Sequence, residues 1–285
     1  MVRGTVCALR TVSFVMKRKE SPNLLKVYCQ NVWNYNPSEY RNGLLWELVK
    51  ESEAEICLFQ EFGPATIRVG RNPLPSLLRE EFTEACPQVA DRNYTPVYYK
   101  SDVFSEVDSG YFLYEGKNDC NSKSITWAVL EKKATGQRIA VLSTHFWWMF
   151  HAADDNQQRL RNVEQLQELC GKILAKYDVP MIVGGDLNNG KFAEQGDEPY
   201  RYMLGKGFSD VRETAKVSTD LLTHHDYPKL EENGIYSKGP MPVRVLDYLF
   251  TYGKNEIPAE KFEILTTEKA LTSSDHCPLV GEFEF

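Results

Sequence analysis

The chain breaks into short apolar runs separated by polar turns, with one long stretch of helical period among them. Residues 24–33 alternate in the way a strand does, with successive side chains on opposite faces. Pro37-Ser38 then opens a predicted helix whose apolar face carries Leu44, Leu45, Leu48 and Val49. A second strand, 56–59, delivers Gln60-Glu61, and 76–85 has the pattern of a shorter helix. Residues 94–142 are mostly strand-like, with turns at Gly110, Gly116 and Thr135-Gly136, and run out at His145. From 154 to 177 apolar residues fall at 160, 163, 166, 169, 173 and 174 with charges opposite, the clearest helix in the chain. The apolar run 179–183 is a compact strand leading into Gly184-Gly185-Asp186. Residues 189–243 hold no period and are expected as surface excursions around a cleft mouth. Two last strands lie near 245–251 and 279–285.

Strands interleaved with helices place the chain in the α/β class. A length of 285 residues, 42% hydrophobic and 26% charged, suits one large domain with a buried core. We expect that domain over 23–285, behind a basic leader over 1–22 that Ser21-Pro22-Asn23 closes off. The net charge of −7 and pI near 5.4 have the wrong sign for gripping a polyanion through the general field, which disfavours a sequence-tolerant nucleic-acid-binding protein. They leave a nuclease open, because a metal neutralises part of a carboxylate-rich cleft. Seven cysteines, at 7, 29, 57, 86, 120, 170 and 277, show no C-x-x-C spacing and are expected as buried free thiols in a reducing compartment. No secretory signal is readable, and the longest notable uncharged stretch, 139–153, is too short for a membrane span. The expectation is a soluble, cytoplasmic monomer.

Five fragments put a carboxylate, carboxamide or imidazole at the edge of an apolar run, where a buried strand ends and a cleft can begin: Gln60-Glu61, Thr144-His145, Gly185-Asp186-Leu187-Asn188, Leu246-Asp247-Tyr248 and Ser274-Asp275-His276. Their chemistry suits phosphate ester hydrolysis with a divalent metal. Strand alternation would point Asp186 and Asn188 the same way, and Gly184 with Gly185 would let backbone approach substrate. Glu61 and Asp275 are the oxygen ligands expected for Mg²⁺ or Mn²⁺. His276 is the candidate general base, with Asp247 as the partner that fixes its tautomer. His145 is placed to donate to a phosphate oxygen or the leaving group.

Together with Gln30-Asn31-Val32-Trp33 and the continuation Cys277-Pro278-Leu279, these segments resemble the metal-dependent endonuclease/exonuclease/phosphatase superfamily, in the family's order across residues 27–285. The resemblance implies a four-layer αββα sandwich, two mixed β-sheets packed face to face, with a metal-dependent cleft at one sheet edge. It implies Glu61 as the metal-binding glutamate, Asn31 as the asparagine beside that metal and Asp275 as the second carboxylate near the ion. Asp186 resembles the aspartate that orients the attacking water and Asn188 the asparagine that contacts phosphate. His276 resembles the general base, Asp247 its partner, and His145 the histidine that stabilises the pentacovalent transition state. Thr144-His145 and Gln60-Glu61-Phe62 depart from the pattern of the apurinic/apyrimidinic endonucleases. The W-x-G-D-x-N-Y-R and P-A-W-C-D-R segments of the inositol polyphosphate 5-phosphatases are missing. What remains resembles deadenylases, deoxyribonuclease-like enzymes, sphingomyelinases and bacterial hydrolases.

Between the motifs, Trp147, Trp148, Met149 and Phe150 follow His145 directly, where aromatics can stack on a base or cover a lipid or sugar. His224-His225 and Lys238 precede Asp247 and are candidate phosphate contacts; adjacent histidines without H-x-x-x-H spacing do not read as a zinc site. Arg159 either reaches the cleft or lies on a solvated helix face. Trp147, Trp148, His224 and Arg159 are therefore the substrate-binding candidates. The preferred reading is a phosphodiesterase acting on nucleic acid, nucleotide or phospholipid. The alternatives are a phosphomonoesterase on a sugar or inositol phosphate and a catalytically idle scaffold, against which an Asp247 behind His276 argues.

Overall fold

The computed structural model describes residues 24–33, 38–63, 73–190, 193, 196–253 and 257–285. The expected leader over 1–22, Cys7 and Pro37 lie outside the described residues. In chain order the elements are β1 (Leu24–Asn31), α1 (Glu39–Ser52), β2 (Ile56–Gln60), α2 (Leu74–Leu78), β3 (Thr83–Glu84), β4 (Val97–Tyr99), β5 (Phe104–Leu113), β6 (Ser124–Lys132), β7 (Arg138–His145), α3 (Asp155–Tyr177), β8 (Met181–Asp186), α4 (Glu198–Gly205), β9 (Phe208–Asp210), α5 (Val211–Thr214), β10 (Val217–Ser218), β11 (Asp247–Tyr252), β12 (Ala259–Ile264), α6 (Glu268–Ser273) and β13 (Leu279–Glu284).

The strands form two mixed sheets, a seven-stranded one ordered β10-β12-β13-β1-β2-β4-β3 and a six-stranded one ordered β5-β6-β7-β8-β11-β9. Strand alternation explains why they stack. Leu25, Val27 and Cys29 of β1, Ile56 and Leu58 of β2, Val141 of β7, Ile182 of β8 and Leu249 of β11 share one buried cluster between the sheets. The residues between them face outward to helices. Tyr28, Cys57 and Phe59 pack with Leu45, Leu48 and Val49 of α1 and Ala270 of α6. Ala140, Leu142, Met181, Val183 and Phe250 pack with Val163, Leu166, Cys170 and Ile173 of α3. Three clusters in a row make four layers, the αββα sandwich expected.

Several local expectations change. The helix read over 76–85 ends at Leu78, because Thr83 and Glu84 pair with Tyr99 and Tyr98 as an edge strand instead. The 189–243 stretch is not loop throughout: α4 lies in it, and β9 extends the six-stranded sheet by pairing with β11. β12 and α6 had no sequence expectation; β12 buries Ala259, Phe262 and Ile264 while Lys261 and Glu263 stay partly exposed. Gly184 and Gly185 belong to β8 rather than to a turn, and neither serves substrate approach. A Cβ on Gly184 would meet Leu58, Leu249 and Cys29 at 2.7–3.0 Å, and one on Gly185 would sit 2.0 Å from the Thr144 carbonyl oxygen. Both glycines are there for close packing, between sheets and between strands. Cys29, Cys57, Cys86, Cys170 and Cys277 are buried free thiols as expected, but Cys120 is exposed. Among the described residues no helix is long and apolar enough to cross a membrane.

Candidate active site

Register alone lines up the polar residues. In the six-stranded sheet His145 of β7 pairs with Asp186 of β8, and Asp186 pairs with Asp247 of β11, so three side chains stand in one row across adjacent strands. In the seven-stranded sheet Asn31 of β1 pairs with Gln60 of β2, and Glu61 follows at once. The two rows sit at the same end of the sandwich and touch across it, with Asn31 Nδ2 donating to Asp186 Oδ2 at 3.0 Å. Gln60 Nε2 donates to Ser143 Oγ at 3.0 Å, which ties the sheets together beneath the row, and within the seven-stranded sheet Gln30 Nε2 donates to the His276 carbonyl at 2.9 Å.

The strand ends use one device twice. The Trp33 amide donates to Asn31 Oδ1 at 3.1 Å, and the Asn188 amide donates to Asp186 Oδ1 at 2.7 Å. Both turning residues take left-handed backbone, φ 49 and 48, and Glu61 does so too at φ 51. Such a conformation costs a non-glycine residue about 1–3 kcal/mol and persists where surroundings over-determine it, a common state at functional sites. Asp186 and Asn188 do line the same cleft, as expected. The turn, not strand alternation, is the reason, since β8 ends at Asp186.

The cleft has a volume of about 400 Å³ and is lined by Glu61, Asp186, Asn188, Asp275 and His276 among others. Asp247, itself buried, holds His276 Nδ1 with both carboxylate oxygens at 2.9 and 3.0 Å. That leaves Nε2 toward the cleft, 3.9 Å from Asp186 Oδ2 and 4.0 Å from Asp275 Oδ1. Burial opposes charge on His276, but Asp247, Asp275 and Asp186 together outweigh it and raise its pKa well above 6.5. Burial, with further carboxylates adding to it, raises Asp186 to about 6 and Asp275 to about 6. Burial also raises Glu61. His145 is fully buried one layer behind the cleft, with Nε2 3.4 Å from Asp186 Oδ2 and 3.9 Å from Glu61 Oε1, and it receives a 3.0 Å contact from Asn188 Nδ2. Burial first, then Lys123 and His276, hold its pKa well below 6.5, so the ring is neutral at pH 7.

This donor set fits a hard divalent cation. Ligand atoms of Glu61, His145 and Asp186 lie within 4.8 Å of one another, as do those of His224, Asp275 and His276. Three carboxylates with raised pKa values, Asp186 and Asp275 buried and Glu61 half-buried, mark negative charge that the protein alone leaves under-compensated.

Of the substrate-binding candidates, two face the cleft and two do not. Trp148 and His224 line it; His224 Nε2 lies 3.8 Å from Asp275 Oδ2, while His225 turns away to the Asp226 carbonyl. Trp147 is buried and donates from Nε1 to Asp155 at 2.8 Å, packing the loop rather than a ligand. Arg159 is neither solvated nor in the cleft: it is 1% exposed, and its Nη1 donates to the carbonyls of Met149 and Trp147 at 2.6 and 3.3 Å. It stands four and seven residues before Val163 and Leu166, on the apolar stripe of α3, a spacing from which its burial can be read.

Sequence reasoning missed Lys123. Its ammonium is 2% exposed, lines the cleft, lies within 3.4 Å of both His145 ring nitrogens and 3.7 Å from Asp119. Burial lowers its pKa. Its signal is the one that located the others, a charge at the edge of an apolar run, here β6. Also unread were Tyr227 and Arg244, cleft residues contributed by irregular chain.

No family model matches the sequence, and no curated protein matches it significantly. Solved structures do match. An endonuclease/exonuclease/phosphatase from Bacteroides vulgatus superposes with a TM-score of 0.67 at 19% identity, over 92% of this chain and 99% of that one. A mannosyl-6-phosphatase from Bacteroides thetaiotaomicron gives 0.65 at 16%, over 92% and 100%. D. rerio TDP2 complexed with a single-strand DNA product gives 0.64 at 14%, over 92% and 99%. At these identities the likeness concerns architecture, and it agrees with the two mixed sheets flanked by helices: the chain has the fold of the endonuclease/exonuclease/phosphatase superfamily.

Proposed function

We propose that this protein is a divalent-metal-dependent phosphoesterase that hydrolyses a phosphodiester by attack of a water activated on His276. The observation that carries the reading is the orientation of His276: both Asp247 oxygens occupy Nδ1, which leaves Nε2 beside Asp186 as the nitrogen that exchanges a proton with the cleft, and a bound divalent cation would oppose the charge that the surrounding carboxylates favour on the ring. His276 takes the water's proton there, and Asp247 stabilises the resulting imidazolium. Asp186, fixed by Asn31 and by the Asn188 amide, accepts the water's other hydrogen and aligns it for in-line attack. Glu61 and Asp275 would hold Mg²⁺ or Mn²⁺, which when bound neutralises charge on the phosphoryl and leaving oxygens. Lys123 faces the same space and stabilises charge that grows on the non-bridging oxygens, while Asn188, whose Nδ2 donates to His145 Nε2 and the Phe146 carbonyl, ties the turn after β8 to the end of β7. His145 remains neutral and positions Asn188 from behind.

A mannosyl-6-phosphatase and a DNA-product complex share this fold, so it accommodates mono- and diesters alike. Turnover of bis(p-nitrophenyl) phosphate in Mg²⁺ or Mn²⁺ tests the proposal. Activity should vanish in EDTA, return with added ion, and fall at least ~10²-fold in His276→Ala, the usual scale for losing a general base. Full activity in chelator, or a loss under threefold in the variant, would remove the metal or His276 from its role.

A further inference from the structure

The cleft carries four aromatic side chains that no step of the proposed reaction uses. At the β1 end of the seven-stranded sheet, the rings of Trp33 and Tyr227 stack at 4.9 Å and 25°. The buried Arg41 guanidinium lies 4.6 Å from the Trp33 ring centroid and donates to the Val32 carbonyl at 2.9 Å, so the indole packs on a fixed cation as well. Tyr227, the outer ring of this stack, remains 60% exposed. At the β7 end of the six-stranded sheet, Trp148 and Phe150 are 42% and 37% exposed. Their segment is not loose: Arg159 clamps the Met149 carbonyl, and Trp148 Nε1 donates to Asp119 Oδ2 at 2.8 Å. All four line the cleft that holds His276. Rigid, exposed rings around a polar reaction centre mark a binding surface.

The rest of the lining decides what the rings hold. Beyond the reaction centre it offers Leu246 and the charged Asp119, Lys123 and Arg244, and among the described residues no Ser, Thr or Gln. An acyl chain needs an aliphatic trough, which Leu246 alone does not make; a sugar would draw on Asp119, Lys123 and Arg244, of which Asp119 already accepts from Ser122 and Trp148 and Lys123 lies against His145. A planar heterocycle needs only a ring to stack on. The net charge of −7 also requires recognition to be local rather than through the general field. We infer that the aromatic walls bind the base of a nucleotide ester or a short single-stranded segment, stacked on Tyr227 and Trp148. The inference rests on the phosphoesterase reading for what happens to the bound ester.

The test uses adenosine 5′-monophosphate and ribose 5-phosphate, which differ by the base alone. Calorimetric titration of each should give at least ~10-fold tighter binding of the nucleotide, the lower part of the range for stacking one base. Tyr227→Ala and Trp148→Ala should each reduce that preference while leaving the Tm and ribose 5-phosphate affinity in place. Equal affinities, a preference that survives both substitutions, or tighter binding of mannose 6-phosphate than of the nucleotide would overturn the base subsite. A base preference without turnover of bis(p-nitrophenyl) phosphate would support the subsite and defeat the reaction. Turnover without a base preference would do the reverse.

Discussion

Magnesium should stabilise this protein about twice as strongly at pH 8 as at pH 5. Asp186 and Asp275 both titrate near pH 6, raised from 3.8, with burial as the leading cause. A carboxyl whose folded pKa is raised contributes stability that is complete below its unfolded pKa and lost as pH rises through the folded value, so in the ion-free protein these two groups favour the fold below about pH 4 and oppose it above about pH 6. A bound cation reverses the sense, because it needs the ionised form and competes with protons. With Mg²⁺ at one hundred times its pH 8 dissociation constant, linkage gives about 2.7 kcal/mol of stabilisation. At pH 5, one unit below the Asp275 pKa of about 6, protonation of that ligand weakens apparent binding about 11-fold. The ion is then at ~9 times its dissociation constant, and the stabilisation drops to about 1.4 kcal/mol. At ~2–4 °C per kcal/mol, the Tm gain is about 5–11 °C at pH 8 and about 3–5 °C at pH 5. Differential scanning calorimetry in MgCl₂ against NaCl of equal ionic strength measures both, with Glu61→Gln expected to erase most of the pH 8 gain. Equal gains at the two pH values, or a full gain in Glu61→Gln, would refute the reasoning.

Two further outcomes follow from packing and charge. Gly185→Ala should cost about 3 kcal/mol or more, because the added methyl meets the Thr144 backbone oxygen at 2.0 Å. Gly184→Ala, which meets only side-chain ends, should cost less; a loss for Gly185→Ala no larger than that for Gly184→Ala in chemical denaturation would contradict the ladder argument. Lys123→Met keeps the stem and removes the buried charge, so turnover of bis(p-nitrophenyl) phosphate should fall ~10²-fold, as when one transition-state donor is lost. Its Tm should move little, since Asp119 keeps Ser122 and Trp148 as partners, and unchanged turnover would take Lys123 out of the reaction.

The sandwich was readable because its cause is local: residues that alternate along β1, β2, β7 and β8 specify two buried faces each, and α3 supplies an apolar stripe. The polar row was readable for a related reason. Asn31, Glu61, His145, Asp186 and Asp247 stand at strand ends, so each breaks an apolar run and marks itself. What failed to show was whatever depends on a partner distant in sequence. Thr83 and Glu84 became a strand only through β4, and Gly184 and Gly185 were set by neighbours on other strands. Arg159 looked solvated from its charge, although its spacing put it on the buried stripe, where two carbonyls accept from its Nη1. Tyr227 acquires meaning only from Trp33, nearly two hundred positions earlier, against which it stacks.

The hydrogen bond from Asn31 to Asp186 joins groups that belong to different sheets. Neither half of the sandwich therefore owns the reaction centre; it exists only while both are docked. A fragment holding one sheet would be inert even if it folded, and partial sliding of the halves would switch off chemistry before any strand came undone. Loss of turnover during gentle denaturation should accordingly precede loss of secondary structure, making activity the most sensitive gauge of how the two halves are seated.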